Sequence, residues 1–187
     1  MLLDITLQLT PQMLQDEKAS VSKSLIGHTG THFDVMDKVF PLEFTRRKGI
    51  VFDVSAVTGR DIEISDIDPD TLEQDMFVAF YTGYIEKESY GTKTYFAESP
   101  QLSFALIDRL LEKGISIIGL DFGGIRRGGE HVPADRHCAD RGVFVVENLF
   151  GLGRVLAAGG CFTACTYPLS CTGVTGLPCR VIAEVTP

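Results

Sequence analysis

All four histidines of the chain lie in two short segments, and this placement constrains the fold more than any other feature. His28 and His32 stand in HTGTHFD, residues 28–34, while His131 and His137 stand in HVPADRH, residues 131–137. Acidic residues accompany both pairs. Nitrogen and oxygen ligands grouped in this way are typical of a metal site assembled from remote parts of a chain, with chance clustering as the alternative. The sequence therefore predicts a fold that brings the two segments together.

Length, charge and hydropathy exclude several classes of protein. A chain of 187 residues is long enough for a sizeable core, and we expect a single domain over 1–187. The net charge of −8 argues against a nucleic-acid partner, which requires a basic surface. No apolar run reaches the ~18 residues that a membrane span needs. The start MLLDITLQLTP lacks a basic region followed by an apolar stretch, so no signal peptide and a cytoplasmic location are expected.

The cysteines do not form a zinc-binding pattern. Four of the five crowd the end of the chain, and tight C-x-x-C pairs are absent; the five are Cys138, Cys161, Cys165, Cys171 and Cys179. An odd number of cysteines without a signal sequence favours reduced thiols buried in C-terminal strands. A structural metal or a redox role is the alternative.

The order of apolar and turn-forming residues predicts alternating strands and helices after an extended front half. Strands are expected at 2–9, 48–57, 76–84, 115–121 and 143–146, helices from Ser99-Pro100 to Gly114 and over 133–141, a helix or turn at 68–74, and a glycine-rich loop at 122–129. The helix at 133–141 places residues two apart on roughly opposite sides. Asp135 and His137 therefore cannot both face one site.

The spacing of His28 and His32 does not fit a metal-binding helix. Thr29, Gly30 and Thr31 separate them and are poor helix formers. In a straight strand, which advances ~3.3 Å per residue, the two histidines would stand about 13 Å apart. Ligands of one ion each lie about 2 Å from it. The segment must therefore bend at Gly30 or supply two ions, and two histidines packed in an ordinary strand are the remaining interpretation.

The motif HTGTHFD resembles the H-x-G-T-H-x-D signature of the cyclase family, metal-dependent hydrolases that include kynurenine formamidases and isatin hydrolases. The similarity covers most of the chain: LDIT, FDVSAVTGRDI, YTGY, LSFALIDRLLEKGISIIGLD, GVFVVENL and GLPCRVIA follow the order and spacing of the family. The resemblance implies a swivelling β/β/α-type α/β fold with a β-barrel-like core. It also implies a homodimer or homotetramer that hydrolyses small amide C–N bonds.

By this resemblance, the metal ligands are His28, His32, Asp34 and Glu147. A further family ligand is a histidine twelve residues before the glutamate, where this chain has Asp135. Asp135 still offers oxygen ligands, so zinc and harder ions such as manganese both suit the set.

The chain also departs from the family at the proton-transfer group. The family signature continues as P-x-H, and this chain has Met36 and Lys38 at those positions. Lys38, Asp37 or Asp135 would then have to move the proton, and Lys38 in solvent is the competing interpretation. Phe33 and Tyr81 are candidates for an aromatic substrate pocket, although core packing is the usual role of such residues.

Two classes of function follow from these residues. The first is a hydrolase in which a metal-activated water attacks an aryl formamide, a cyclic amide or imide, or a lactone. The second is a small-molecule binding or regulatory protein that keeps the scaffold without catalysis. The four retained ligand residues favour the hydrolase, and the lost P-x-H favours the binding protein.

Overall fold

The computed structural model describes residues 1–8 and 27–186 of the chain. Eight strands lie within these ranges: β1 (Leu2–Asp4), β2 (His32–Asp34), β3 (Arg46–Asp53), β4 (Phe77–Tyr81), β5 (Ile117–Leu120), β6 (Phe144–Glu147), β7 (Cys161–Pro168) and β8 (Gly176–Glu184). Five α-helices accompany them: α1 (Tyr84–Lys87), α2 (Lys93–Glu98), α3 (Phe104–Glu112), α4 (His131–Ala139) and α5 (Leu152–Ala157). Short 3₁₀ turns occupy Leu42–Thr45, Ile64–Asp66, Pro69–Thr71 and Gly128–Glu130.

The strands close into a barrel. Seven of them pair in the cyclic order β8-β2-β6-β5-β4-β3-β7, and the ring closes because β7 also pairs with β8. The run β3-β4-β5-β6 is parallel, whereas β2 and β7 pair with their neighbours in the antiparallel sense. The short strand β1 lies outside the ring and extends the same edge of β8 that β2 uses. This arrangement confirms the α/β fold with a barrel-like core that the resemblance implies.

Two apolar clusters divide the inner and outer faces of the strands. One cluster takes side chains from all seven barrel strands, including Phe33, Phe77 and Val146, and therefore fills the barrel. The other joins outward side chains such as Val78 and Val145 to the apolar faces of α3 and α4. Since side chains alternate along a strand, neighbours of the inward residues point outward, toward the helices.

Most of the predicted elements are found, several of them shorter than predicted and others shifted by one or two residues. Strand β3 ends at Asp53, whose carboxylate accepts hydrogen bonds from the amide and hydroxyl of Ser55 and turns the chain. Helix α3 begins after Ser103 rather than at Ser99, because the Ser103 hydroxyl accepts from the Leu106 amide 3.1 Å away. The predicted strand 2–9 is observed as Leu2–Asp4, and its last residue lies outside the described ranges.

Helix α4 begins at His131, two residues before the predicted start. Pro133 falls in its first turn, where the missing amide hydrogen costs nothing because these amides have no partner within the helix. The earlier start places His131 on the helix itself. Among the described residues, no helix has the length and apolar character that a membrane crossing requires.

The cysteines are reduced, but the prediction that they are buried is wrong for most of them. All five are free thiols, and Cys138 alone is buried. Cys161 and Cys171 are exposed because they lie at the start of β7 and in the loop before β8.

Candidate metal centre

The segment 28–34 bends at Gly30, and the bend brings its two histidines together. Gly30 has a φ of 67°, a left-handed conformation that glycine adopts without steric cost. The chain then enters β2 at His32. As a result, Nδ1 of His28 lies 3.1 Å from Nε2 of His32, rather than the ~13 Å of a straight strand. The bend therefore makes a shared metal geometrically accessible to both rings.

Strand pairing adds Glu147 to this pair. In the register of β2 with β6, His32 is opposite Glu147 and Phe33 is opposite Val146. Phe33 and Val146 point into the barrel, so His32, Asp34 and Glu147 point to the outer face. Nε2 of His32 lies 3.7 Å from Asp34 Oδ1 and 3.8 Å from Glu147 Oε2.

Helix α4 contributes two more groups from the other side. His131 and Asp135 are four residues apart, so both side chains lie on one face of the helix. Nε2 of His131 is 3.1 Å from Asp135 Oδ2 and 3.0 Å from Glu147 Oε1. His137 points elsewhere and pairs with Asp108 at 2.8 Å. The expected exclusion of His137 by Asp135 agrees with this geometry.

The donor atoms form two sets that share Asp34. The first set is His28, His32 and Asp34, and the second is Asp34, His131, Asp135 and Glu147. Within each set, one ligand atom per residue lies within 4.8 Å of every other. The structure thus brings together His28, His32, Asp34, Asp135 and Glu147, the five ligands named from the sequence. Their role as metal ligands remains a prediction.

Unsatisfied carboxylate oxygens show that these residues fit a cation. Asp34 Oδ2 and Asp135 Oδ1 are buried and accept no hydrogen bond from the described residues. Asp135 Oδ2 lies within ion-pair distance of His131. It too accepts no hydrogen bond from the residues that the structure describes. Buried carboxylates without partners are costly, whereas carboxylate and imidazole groups suit divalent ions. The donor set therefore matches a divalent metal.

The six side chains of the cluster differ in their exposure to solvent. The side chains of His28 and His131 are 17% and 36% exposed, while those of His32, Asp34, Asp135 and Glu147 are at most 4% exposed. His28 and His131 are therefore the members of the cluster in contact with solvent, and the carboxylates lie beneath the surface.

Neighbouring carboxylates control the protonation of the histidines. Burial alone lowers the pKa of His32, but the charges of Asp34 and Glu147 and hydrogen bonds outweigh burial and raise it to about 9. Burial also opposes the charged form of His131. Its hydrogen bond with Glu147 and the nearby carboxylate charges nevertheless raise its pKa to about 10. In the metal-free protein both rings are therefore cationic at neutral pH and balance part of the acidic charge.

The three acids differ in their response to the same environment. Burial and the charge of Asp34 raise the pKa of Glu147, and they raise that of Asp135 well above its usual range. Burial acts in the same sense on Asp34, but the charge of His32 and the hydrogen bonds from His28 and His32 lower its pKa. Asp34, which belongs to both donor sets, is therefore the acid held most firmly as a carboxylate.

The ring of His28 is held by residues on the side away from Asp34. Its Nε2 lies 2.9 Å from the Thr175 hydroxyl, which leaves Nδ1 facing Asp34 at 3.0 Å. Gly176 gives the ring its space, because a Cβ at this position would come within 2.7 Å of the imidazole. Thr175 and Gly176, at the start of β8, therefore support a ligand that is distant in sequence.

Lys38 and Asp37, the candidates for proton transfer, lie on the surface. The Lys38 ammonium pairs with Asp140 at 2.6 Å, and both side chains are substantially exposed. Asp37 is exposed and lies 3.7 Å from a guanidinium nitrogen of Arg136. Met36 is buried among the core side chains. The catalytic role of Lys38 or Asp37 stays a prediction, which these positions do not support.

Phe33 and Tyr81, the two residues predicted to contact a substrate, pack against other parts of the protein. Phe33 is fully buried, and its ring centroid is 4.7 Å from that of Phe40 in the barrel interior. Tyr81 packs against Gly153 of α5, and its hydroxyl donates to Glu86 at 3.1 Å. Residues adjacent on a strand face opposite ways, so Phe33 points into the barrel while His32 and Asp34 point to the outer face. Phe33 therefore has no exposed surface that could contact a substrate at the cluster.

His131 is the site residue that the sequence reasoning missed. The signal was its spacing of four residues from Asp135, which places both on one helical face. The predicted helix began at residue 133, so His131 was left outside it and was not named as a ligand. The imidazole that the family places at the position of Asp135 therefore has a counterpart one helical turn earlier.

The fold and the site together define an α/β barrel protein with a candidate histidine–carboxylate metal centre. The chain belongs to the cyclase family: the family model described as putative cyclase matches residues 3–126. The matched region includes His28, His32 and Asp34, and the residues of α4 and β6 lie beyond it. No match was found among curated proteins.

Solved structures share this fold over nearly the whole chain. A potential metal-dependent hydrolase with cyclase activity is 23% identical with a TM-score of 0.74, covering 98% of each chain. A predicted metal-dependent hydrolase from Bacillus stearothermophilus is 22% identical with a TM-score of 0.74, covering 98% of this chain and 97% of that one. Isatin hydrolase A from Labrenzia aggregata is 21% identical with a TM-score of 0.76, covering 100% and 94%.

Proposed function

We propose that the protein is a metal-dependent hydrolase of small amide C–N bonds. Its substrates would be aryl formamides and cyclic amides or imides, and the same attack on a carbonyl would open lactones, which are cyclic esters. The observation that carries the proposal is the cluster of histidines and buried carboxylates, in which oxygens of Asp34 and Asp135 have no hydrogen-bond partner among the described residues. The similarity to solved hydrolases, among them isatin hydrolase A, supports the same class of reaction.

The donor sets suit zinc or manganese. His28, His32 and Asp34 offer two nitrogens and an oxygen, a combination that zinc accepts readily. The second set has three carboxylates and one histidine, and this excess of oxygen favours manganese. Because Asp34 belongs to both sets, the cluster has ligands for two adjacent ions. A bound divalent ion would activate water and polarise the substrate carbonyl.

Among the candidates for proton transfer, Asp135 is the one that lies in the cluster. It is 1% exposed, and its Oδ1 accepts no hydrogen bond from the described residues, so that atom is available to take or give a proton. His28 and His131 are the partly exposed members of the cluster, and they would orient an entering amide. The buried outer face of the barrel excludes bulk water from the carboxylates.

The test is turnover by protein purified without chelator or an affinity tag that carries nickel. Elemental analysis would measure the metal content, and a panel of aryl formamides, cyclic imides and lactones would be assayed with added zinc or manganese. We expect turnover of at least one panel member that disappears on metal removal and returns on reloading. Turnover that is insensitive to metal removal would contradict the proposal.

A binding or regulatory protein is the second candidate. The observation that favours it is Lys38, which pairs with Asp140 on the surface where the family has an imidazole. Calorimetric binding of panel compounds by the metal-loaded protein, with no turnover of any of them, would support this function over the hydrolase.

We also propose that the protein is a cytoplasmic homodimer or homotetramer. Support for self-association comes from large apolar side chains exposed around one surface groove, namely Val39, Leu42, Tyr167 and Leu169. Light scattering should give a mass of two or four chains at micromolar concentration. A monomer under these conditions would contradict the assembly. Leu42→Asp should weaken it, because a charge would then be buried in the interface.

A further inference from the structure

A series of buried hydrogen bonds leads from Tyr95 to the imidazole of His32. The Tyr95 hydroxyl lies 2.8 Å from Asn148 Oδ1, and Asn148 Nδ2 lies 2.9 Å from the carbonyl oxygen of Gly30. Nδ1 of His32 lies 2.9 Å from the same oxygen. The three side chains are at most 2% exposed, so water does not compete for these bonds.

The chemistry of the Gly30 carbonyl fixes the direction of every bond in this series. A carbonyl oxygen only accepts, so His32 Nδ1 must carry a hydrogen and the amide nitrogen of Asn148 must face Gly30. The Asn148 oxygen then faces Tyr95, whose hydroxyl must donate. With Nδ1 protonated, the lone pair of His32 that remains for a metal is on Nε2, which faces Asp34 and Glu147.

We propose that Tyr95 and Asn148 are positioning residues that hold the Gly30 carbonyl and thereby fix the tautomer and orientation of His32 for metal binding. This inference rests on the proposed metal-dependent function and extends it to residues outside the donor sets. Partners of this kind raise metal affinity by restricting a ligand ring to its productive orientation.

The backbone around this series is held in place at several points. Asn148 has a φ of 59°, a conformation uncommon for residues other than glycine. Its backbone carbonyl accepts from the Thr31 hydroxyl at 2.8 Å, which ties Asn148 to the residue after Gly30. The Gly30 amide donates to the Tyr90 hydroxyl at 2.7 Å, so Gly30 is held through both its amide and its carbonyl. From this backbone conformation the Asn148 side chain reaches the Gly30 carbonyl.

Two variants remove the series without removing a ligand. Tyr95→Phe deletes the terminal hydroxyl alone. Asn148→Gly deletes the amide while keeping a residue that tolerates the positive φ. The matched control is Tyr84→Phe, which deletes a hydroxyl from the same aromatic cluster, where it contacts the carbonyls of Thr94 and Tyr95.

The experiment measures binding of Co²⁺ and Zn²⁺ by the full chain, with thermal unfolding of the metal-free proteins in parallel. We expect Tyr95→Phe and Asn148→Gly to bind Zn²⁺ about 10- to 100-fold more weakly and to shift the visible absorption of the Co²⁺ form. Tyr84→Phe should retain wild-type affinity and spectrum. Metal-free Tyr95→Phe should stay folded but unfold at a lower temperature than Tyr84→Phe, because it leaves the buried Asn148 oxygen without its donor. The Co²⁺ spectrum of the folded variant separates ligand orientation from this loss of stability.

The outcomes separate this inference from the proposed function. Wild-type affinity and Co²⁺ spectrum in both Tyr95→Phe and Asn148→Gly would overturn the positioning role and leave the metal site intact. Equal weakening in Tyr84→Phe would overturn it too, since a general disturbance of the aromatic cluster would then be the cause. Failure of the wild-type chain to bind either ion would overturn the proposed function and the inference with it.

Discussion

Nε2 of His131 lies 3.1 Å from Asp135 Oδ2, one helical turn away on the same face of α4. The two residues enter the cluster together because the helix packs against β6, whose Glu147 meets the same imidazole nitrogen at 3.0 Å. One turn of helix thus supplies an imidazole and a carboxylate to a site that the front segment alone would leave incomplete.

His131 and His137 provide a matched pair of variants on one helix. We expect His131→Gln to weaken zinc or manganese binding by more than about tenfold, because each lost ligand bond removes more than about 1.4 kcal/mol. His137→Gln should bind as the wild type does, since this ring pairs with Asp108 away from the cluster. Isothermal titration with each metal measures both. Equal affinities in the two variants would exclude His131 as a ligand.

Metal binding should release protons and strengthen as the pH rises. In the metal-free protein the pKa of His32 is raised to about 9 and that of His131 to about 10, so both rings carry protons at pH 7 that a metal must displace. Calorimetry in buffers of different ionisation enthalpy gives the number released. His131→Gln should release fewer protons than the wild type; identical proton release would contradict the assignment.

The same shifts predict how the stability of the metal-free protein depends on pH. Because the folded pKa values of His32 and His131 exceed the model value of 6.5, folding takes up protons between that value and about 9 to 10. Their contribution is complete below about pH 6.5 and is lost as the pH rises through the folded pKa values. Urea unfolding of the metal-free protein between pH 6 and 10 should show this loss, and saturating metal should reduce it. A metal-free stability that stays constant over this range would contradict the shifts.

Gly176 should be required for the orientation of His28. A Cβ at this position would lie 2.7 Å from the imidazole and 2.8 Å from the Gly27 carbonyl oxygen, so Gly176→Ala must displace one of them. We expect weaker metal binding and a loss of stability of about 1–3 kcal/mol from the crowding. Gly129→Ala is the control, because a Cβ there meets no atom within 4 Å. Chelator competition and thermal unfolding measure the two effects.

Lys38→Met tests the lysine as the proton-transfer group. The Lys38 ammonium pairs with Asp140 at 2.6 Å on the surface, so we expect metal content and turnover within about twofold of the wild type. The loss of stability should be small, because a surface ion pair contributes about 0–1 kcal/mol. Activity assays over pH 6 to 10 provide the measurement. Loss of turnover with metal content intact would restore the lysine mechanism, in which activity rises with pH as the amine loses its proton.

The sequence alone predicted those features of the fold and the site that depend on residues close together in the chain. The length of an extended chain left either a bend at Gly30 or a segment that supplies two ions, and the structure shows the bend as a φ of 67°. The choice between Asp135 and His137 followed from the helical period, because residues two apart cannot share a face. The apolar strand patterns and the family motif predicted the α/β barrel. These features depend on distances of a few residues, which the order of amino acids defines directly.

Tertiary packing decided what depends on contacts between distant segments. The closure of the barrel by β7 and β8, the pairing of Lys38 with Asp140, and the exposure of Cys161 and Cys171 all depend on which surfaces meet. Thr175, far along the chain, fixes the ring of His28, and Tyr95 and Asn148 reach His32 through the Gly30 carbonyl. His131 joined the cluster only through the docking of α4 on β6. Periodicity identifies which face of a helix a residue occupies, whereas the packing of the whole chain determines what that face meets.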